Sequence, residues 1–258
     1  MCNPEFYNVI YKINPWMDLN NQPSHELANH QWSELKNKIE ELGDTVQLVK
    51  SEPNLPDMVF TANAALILKD GSTVIAKFHH EERKGEEPLF AEWFRNNEFP
   101  VYETSYTFEG AGDALYLGNT LIGGYGFRSN PDFYWYLRNY FEVPIYTVQL
   151  VNPYFYHLDT CFCPLDNVDY LIFPGAFDAE GLSQIRMLGG NEITVPEHEA
   201  KLFACNSVRV GRNVILPKGC PITMQKLNDN GYTCHPVDMS EYLKSGGACK
   251  CLTLQLGI

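Results

Sequence analysis

Between residues 22 and 42, apolar side chains recur at steps of four and three, at Ala28, Trp32, Leu35, Ile39 and Leu42, which predicts a helix burying one stripe. Ser24 is placed to cap its start, Gly43 to stop it, and Glu26, Lys36, Lys38 and Glu41 occupy its polar face. Shorter helices are predicted at 87–97, 130–141, 179–188 and 221–230. Between them lie runs rich in Val, Ile, Leu and aromatics, at 57–68, 73–78, 112–125, 145–150, 170–173, 207–216 and 251–256, which read as strands. A helix returns about every 40 to 60 residues, the spacing of a structural repeat rather than of a doubly wound sheet. Five helix-plus-strand units without a low-complexity linker suit a closed ring of modules whose loops converge on an axis. The chain therefore reads as one α/β domain over residues 1–258, with an open mixed sheet covered on both faces as the competing arrangement.

Composition sharpens this picture. The chain has 258 residues, 45% of them hydrophobic and 13% aromatic, ample for a packed core. A formal charge of -13 argues against a nucleic-acid partner, which would need clustered Lys and Arg, and favours small cations instead. The opening MCNPEFYNVIYKINPW has no charged leader before an apolar run, and no segment approaches the ~20 apolar residues of a membrane span. A cytoplasmic protein without membrane attachment is expected. Eight cysteines in such a chain read as reduced thiols rather than as a disulfide framework.

Three segments carry candidate chemistry. SGGACKCLTL (245–254) delivers Cys251 just past two glycines and just before Thr253, and glycine permits close backbone approach to a ligand. YHLDTCF places His157 and Asp159 on alternate residues, which on a strand would point to one side. FEGAGDAL opens a glycine-rich turn with Glu109 and adds Asp113; it lacks the Gly-Lys-Ser/Thr ending of a phosphate loop, is not expected to open a helix, and suits a flat cation better than phosphate. Thiol, imidazole and carboxylate are far apart in sequence, as in a site assembled by folding. Against this stands the ordinary fate of cysteine as a small buried hydrophobe, expected for Cys205, Cys220 and Cys234, and of histidine as a buried hydrogen-bonded residue. His79 and His80 adjoin a charged loop and read as surface residues. The steps Cys161–Cys163 and Cys249–Cys251 raise a four-thiolate zinc site, but zinc spacing leaves two to four residues between cysteines, so no metal is expected.

FEGAGDAL, FYHLDTCF and GGACKCLTL, with INPWMD, LPDMVFTANA, FHHEER, GYGFRS and PGAFD in order along nearly the whole chain, resemble the guanidine-modifying hydrolases and amidinotransferases of the pentein fold. The resemblance implies a propeller of five ββαβ-type modules around a pseudo-fivefold axis. It is strongest to the arginine dihydrolases, which convert arginine to ornithine, ammonia and carbon dioxide. It implies Cys251 as nucleophile, His157 as general acid and base, Glu109 as the carboxylate orienting substrate and histidine, and Asp159 as a guanidinium-binding carboxylate. Arg83 and Arg128 are implied to grip the substrate carboxylate, although an arginine in such a loop is ordinarily solvated or paired with a neighbour such as Glu86. Asp57, Phe60 and Asn14 are carried over as substrate-binding positions, Phe60 packing on the planar group. Asn63 stands where many deiminases and dimethylarginine hydrolases have aspartate, and a neutral amide can hold a ureido product for a second attack. Cys249 departs from the small non-thiol residue usual beside the nucleophile.

The implied chemistry uses no metal or organic cofactor. The alternatives on the same scaffold are a dimethylarginine hydrolase giving citrulline and dimethylamine, an arginine deiminase giving citrulline and ammonia, and a binding protein like the pentein-fold ribosome anti-association factors. The last has no use for Cys251, His157 and Glu109 together. The expected partner is a small cationic guanidino compound, with no nucleic acid and no membrane; the resemblance leaves a homo-oligomer open.

Overall fold

Helix α1 (His25–Glu41) starts where Ser24 accepts the Leu27 N–H, and it ends at Gly43, whose φ of +107 lets the chain turn away. Pro23 excludes residues 22 and 23 from the expected helix. Its buried stripe is Ala28, Gln31, Trp32, Leu35 and Ile39. The computed structural model describes residues 1–257, and the rest of the chain repeats one unit, a hairpin followed by a helix and a strand parallel to the second hairpin strand.

The first unit comprises β1 (Ala65–Ile67), β2 (Thr73–Ile75), α2 (Glu81–Lys84), α3 (Glu86–Asn96) and β3 (Val101–Tyr102). The second is preceded by α4 (Gly110–Asp113) and contains β4 (Ala114–Leu117), β5 (Thr120–Tyr125), α5 (Pro131–Phe141) and β6 (Ile145–Gln149). The third contains β7 (Phe162–Pro164), β8 (Asp169–Ile172), α6 (Ala179–Met187) and β9 (Asn191–Thr194). After α7 (Glu197–Ala200), the fourth contains β10 (Val208–Val210), β11 (Asn213–Pro217), α8 (Pro221–Asp229) and β12 (Thr233–Val237), and α9 (Ser240–Leu243) follows. Each unit is its own three-stranded sheet, antiparallel on one side and parallel on the other. The fifth position is occupied by α1, flanked by a single parallel bridge between Cys2 and Val49 instead of a full sheet.

Burial closes these units into a ring. Leu66 and Val74 of the first pack with Leu121 and Ile145 of the second; Ile122 and Val148 pack with Leu171 of the third and Val214 of the fourth. Ile215 and Val237 then pack with Trp32 and Leu35 of α1, and Cys2 returns to Phe90 and Ala64 of the first unit. The fold is the expected α/β pentein propeller.

Several local expectations change. Residues 57–63 form two 3₁₀ turns, Pro56–Val59 and Thr61–Asn63, instead of a strand: proline starts the first, and every side chain in both is buried. Runs 112–125 and 207–216 are each split by a turn into two strands, at Gly118 and Gly211, both with positive φ. FEGAGDAL does open a helical turn, α4, entered through Gly110 at φ +60. The 251–256 run forms no strand, because the chain turns at Cys251 and Leu252 to close on the Lys250 carbonyl.

Candidate functional site

The loop after α9 is pinned on both sides of Cys251. The Cys251 N–H donates to Asn206 Oδ1 at 3.0 Å, and its carbonyl accepts the Ala62 N–H at 3.0 Å. One residue on, the Leu252 carbonyl accepts Thr61 Oγ1–H at 2.9 Å. A Cβ at Gly247 would stand 2.6 Å from a Phe60 ring carbon and 3.2 Å from Cys251 Cβ, so only glycine lets the loop lie on that ring. Gly246 adopts φ +79 against Trp16 and the Tyr156 hydroxyl. Thr253 folds back to the Lys250 carbonyl at 3.1 Å and stabilises the turn.

His157 and Asp159 reach the site from a 3₁₀ turn, Leu158–Thr160, not from a strand. The turn separates the two side chains. His157 Nε2 lies 2.7 Å from Glu109 Oε2, whereas Asp159 accepts the Cys251 thiol, Sγ to Oδ2 being 3.5 Å. Glu109 also receives Arg128 at 3.0 Å on Oε2 and the His79 N–H at 3.1 Å on Oε1. Behind this pair Asp113 accepts the Leu158 N–H at 3.1 Å and the Ser129 hydroxyl at 2.6 Å, and Ser129 Oγ accepts the Glu109 N–H at 3.0 Å. The glycine-rich turn and the histidine turn are thus tied together through Asp113.

One small cavity is lined by Asn14, Asp57, Phe60, Asn63, Arg83, Arg128, His157 and Cys251, with Ile13, Met17, Tyr156, Ser245 and Gly247 completing its wall. Glu109 and Asp159 stand directly behind it, against His157 and Cys251 respectively. Arg83 is largely spoken for: Nε and Nη2 grip Glu86 at 2.9 and 2.8 Å, Nη1 donates to Asn63 Oδ1 at 2.9 Å, and Nη2 also reaches the Asp57 carbonyl at 3.1 Å. Arg128 donates to Glu109 and to the Ile13 carbonyl and stacks 4.6 Å from the Tyr156 ring centre, leaving more of its fork for a ligand. Asn14 uses its amide on the Ser245 carbonyl and on the Trp16 and Met17 N–H groups, so it shapes the wall. Asp57 Oδ1 is buried with no partner of hydrogen-bond geometry; the nearby Tyr11 hydroxyl influences its titration but is itself unpaired.

Electrostatics sort these groups. Burial opposes ionisation of Glu109, yet Arg128 and His157 outweigh it and hold its carboxyl well below the usual range. Burial pushes Asp159 up to about 7 and Asp113 up to about 6. Burial, reinforced by the Asp159 carboxylate, raises the Cys251 thiol well above its ordinary value. A cation entering the cavity reverses that balance, since it favours the thiolate and ionised carboxylates together.

The cavity collects every residue expected to bind or react, or places it one layer behind. One surface expectation and one core expectation fail: His80 is half-buried, and burial, helped by Arg128, lowers it to about 4; Cys234 is only half-buried among the cysteines expected in the core. Cys161 and Cys163 do not form one thiolate face, since Cys161 donates to the Leu158 carbonyl and Cys163 to the Ser207 carbonyl. All eight cysteines are free, and among the described residues no group of three His, Cys, Asp or Glu is arranged to hold a metal. Asn206, Ser129 and Tyr156 are the supporting residues that sequence reasoning passes over.

A ring of hairpin-helix-strand units with cysteine, histidine and buried carboxylates around one small cavity is the architecture of the penteins. A sequence model described as N,N dimethylarginine dimethylhydrolase, eukaryotic, matches residues 8–123. The N(G),N(G)-dimethylarginine dimethylaminohydrolase of Mycobacterium tuberculosis is 36% identical, over 99% of this chain and 84% of its own. The chain belongs to the dimethylarginine dimethylaminohydrolase family. It is also similar to the bifunctional arginine dihydrolase/ornithine cyclodeaminase AgrE of a Nostoc species, 44% identical over 99% of this chain, which spans 37% of that relative's length. A cysteine-to-serine variant of the N-terminal domain of ArgZ, a cyanobacterial arginine dihydrolase, solved bound to substrate, superposes with a TM-score of 0.95 at 42% identity, covering 100% of this chain and 97% of that one.

Proposed function

We propose that the chain is a cysteine-dependent hydrolase that removes both terminal nitrogens from the guanidino carbon of arginine, giving ornithine, two ammonia and carbon dioxide, and that its described residues act as a single catalytic domain. The observation that carries the reading is the convergence of Cys251 and His157 on a cavity whose anionic groups are buried behind them. Such a cavity suits a flat cation. The guanidinium lies on Phe60 between the Glu109 and Asp159 carboxylates, the α-ammonium meets the unpaired Asp57 oxygen, and Arg128, aided by Arg83, takes the α-carboxylate.

Cys251 Sγ attacks the guanidino carbon as its proton passes to His157, which delivers it to a terminal nitrogen that departs as ammonia. The resulting thiouronium is hydrolysed by a water that His157 deprotonates, releasing the thiol and citrulline. A second attack, on the ureido carbon, expels another ammonia; hydrolysis then gives a carbamate that loses carbon dioxide to leave ornithine. Holding the planar group against the sulfur is the main contribution, an effect worth ~7–11 kcal/mol in well-oriented systems.

Asn63 favours two rounds over one. Arg83 fixes its Oδ1, which leaves an Nδ2 hydrogen, beyond the one shared with the Glu109 carbonyl at 3.4 Å, to face a ureido oxygen. The 36%-identical dimethylaminohydrolase supports a second reading, release of dimethylamine from methylated arginine. Incubating the purified chain with arginine, citrulline and dimethylarginine, and assaying ornithine, citrulline and dimethylamine, separates them. Ornithine from arginine is the expected result; citrulline accumulation alone, or dimethylamine alone, refutes the dihydrolase. The free thiols fit a reducing, cytoplasmic setting, and no helix among the described residues is long and apolar enough to cross a membrane.

A further inference from the structure

Asn206 has no part in the chemistry set out above, yet it is the side chain most completely tied to Cys251. It is fully buried. Its Oδ1 accepts the backbone N–H groups of Ala248 at 3.2 Å and Cys251 at 3.0 Å; its Nδ2 donates to the Asp159 carbonyl at 3.0 Å and to Cys251 Sγ at 3.1 Å. Two backbone donors on one atom fix the orientation of the amide, because the flipped form would set N–H against N–H. Its own carbonyl accepts the Lys250 N–H at 3.1 Å. Just upstream, Phe203 is held at φ 63, buried against Trp16, a backbone that a bulky side chain keeps only where its surroundings impose it.

We propose that Asn206 is a positioning residue for Cys251: Oδ1 sets the loop, and Nδ2 donates the hydrogen bond that holds the sulfur in its ionised form once the proton has left. This rests on Cys251 being the nucleophile. The titratable and charged groups facing Sγ are Asp159 from the 3₁₀ turn, Lys250 from the same loop, Tyr156, and His157 across the cavity. Asp159 opposes a negative sulfur, and the Asn206 amide supplies the hydrogen bond that favours it. A hydrogen bond to an ionised acceptor is roughly twice as strong as a neutral one, so the donor contributes most where charge develops. Aspartate at 206 would keep the acceptors and lose the donor.

The test is the rate of Cys251 alkylation by iodoacetamide against pH, the adduct located by mass spectrometry, in the parent chain, Asn206→Asp and Asn206→Ala. The alkylation midpoint is expected to rise by about one pH unit or more in both variants, with kcat falling roughly tenfold or more and KM holding within a few-fold. Folded variants with an unmoved midpoint overturn the proposal. Should neither variant fold, the parent chain still decides: an Asn206 Nδ2 proton resonance should shift with pH as Cys251 ionises and lose that shift in Cys251→Ala, and a resonance indifferent to pH overturns it. Alkylation needs no substrate, so failure of the substrate assignment, seen as a parent chain inactive on arginine and dimethylarginine, is distinct from failure here.

Discussion

Glu109 Oε2 lies 2.7 Å from His157 Nε2, and both side chains are buried. With Arg128 on the same oxygen, the carboxylate orients the imidazole and keeps its own charge at neutral pH. Glu109→Gln keeps the size and turns an N–H toward a cation. We expect kcat to fall by about 10²–10⁴-fold. Stability should also fall by roughly 3–5 kcal/mol, because Arg128 is left buried without its anion. The carboxyl is depressed in the fold, so its contribution is present above the unfolded glutamate range and fades as acid protonates it; the melting-temperature gap between parent and variant should therefore close toward strongly acidic pH. Unchanged turnover in a folded variant removes the pair from the reaction.

Asp113 has the opposite sign. Its carboxyl is raised to about 6 by burial, so the folded state binds a proton more readily than the unfolded chain does. Its stabilising effect is full below the ordinary aspartate range and is lost as pH rises through about 6. Melting measured from pH 4.5 to 8 should show Asp113→Asn flattening the decline across that window, by an amount on the order of 2 kcal/mol. Parallel melting curves for parent and variant would show that Asp113 does not titrate in the window.

Gly247→Ala places a methyl 2.6 Å from the Phe60 ring, which Tyr7 and Tyr242 hold edge-on. The ring has nowhere to go without disturbing Cys251. A loss of about 1–3 kcal/mol is expected from overpacking, with kcat/KM down about tenfold or more. Wild-type kinetics together with a wild-type melting temperature would show that the loop gives way freely and that glycine is not required.

How much of this site can be read from sequence follows from how each residue earns its place. Cys251, His157 and Glu109 stand in short glycine- or aromatic-rich segments whose composition is unusual for a core, so they are legible without coordinates. Asn206 lies between Cys205 and Ser207 with no spacing signal, and its importance is entirely tertiary. The 57–63 segment misleads because buried 3₁₀ turns and buried strands share the same apolar composition; only Pro56 marks the difference. The fifth module was legible as a helix, but its sheet shrinks to one bridge, which no local pattern encodes.

The two arginines of the cavity should separate kinetically. Arg83 is bound to Glu86 through two nitrogens, both residues buried, and its remaining bonds hold Asn63 and the Asp57 carbonyl. Burial raises Glu86 to about 7 despite that partner, so the pair depends on a close planar fit. Lysine cannot reproduce the fork. Arg83→Lys is therefore expected to lower the melting temperature and, by releasing Asn63, to depress kcat as well as raise KM. Arg128 makes fewer bonds to protein and stacks on Tyr156. Arg128→Lys keeps a cation near Glu109, so it should raise KM for arginine about tenfold or more with a smaller loss of kcat. Steady-state kinetics of both variants, alongside thermal melts, check the split. If Arg83→Lys changes KM alone and leaves the fold untouched, its bonds to Glu86 and Asn63 are dispensable and it is Arg83, not Arg128, that chiefly meets the substrate carboxylate.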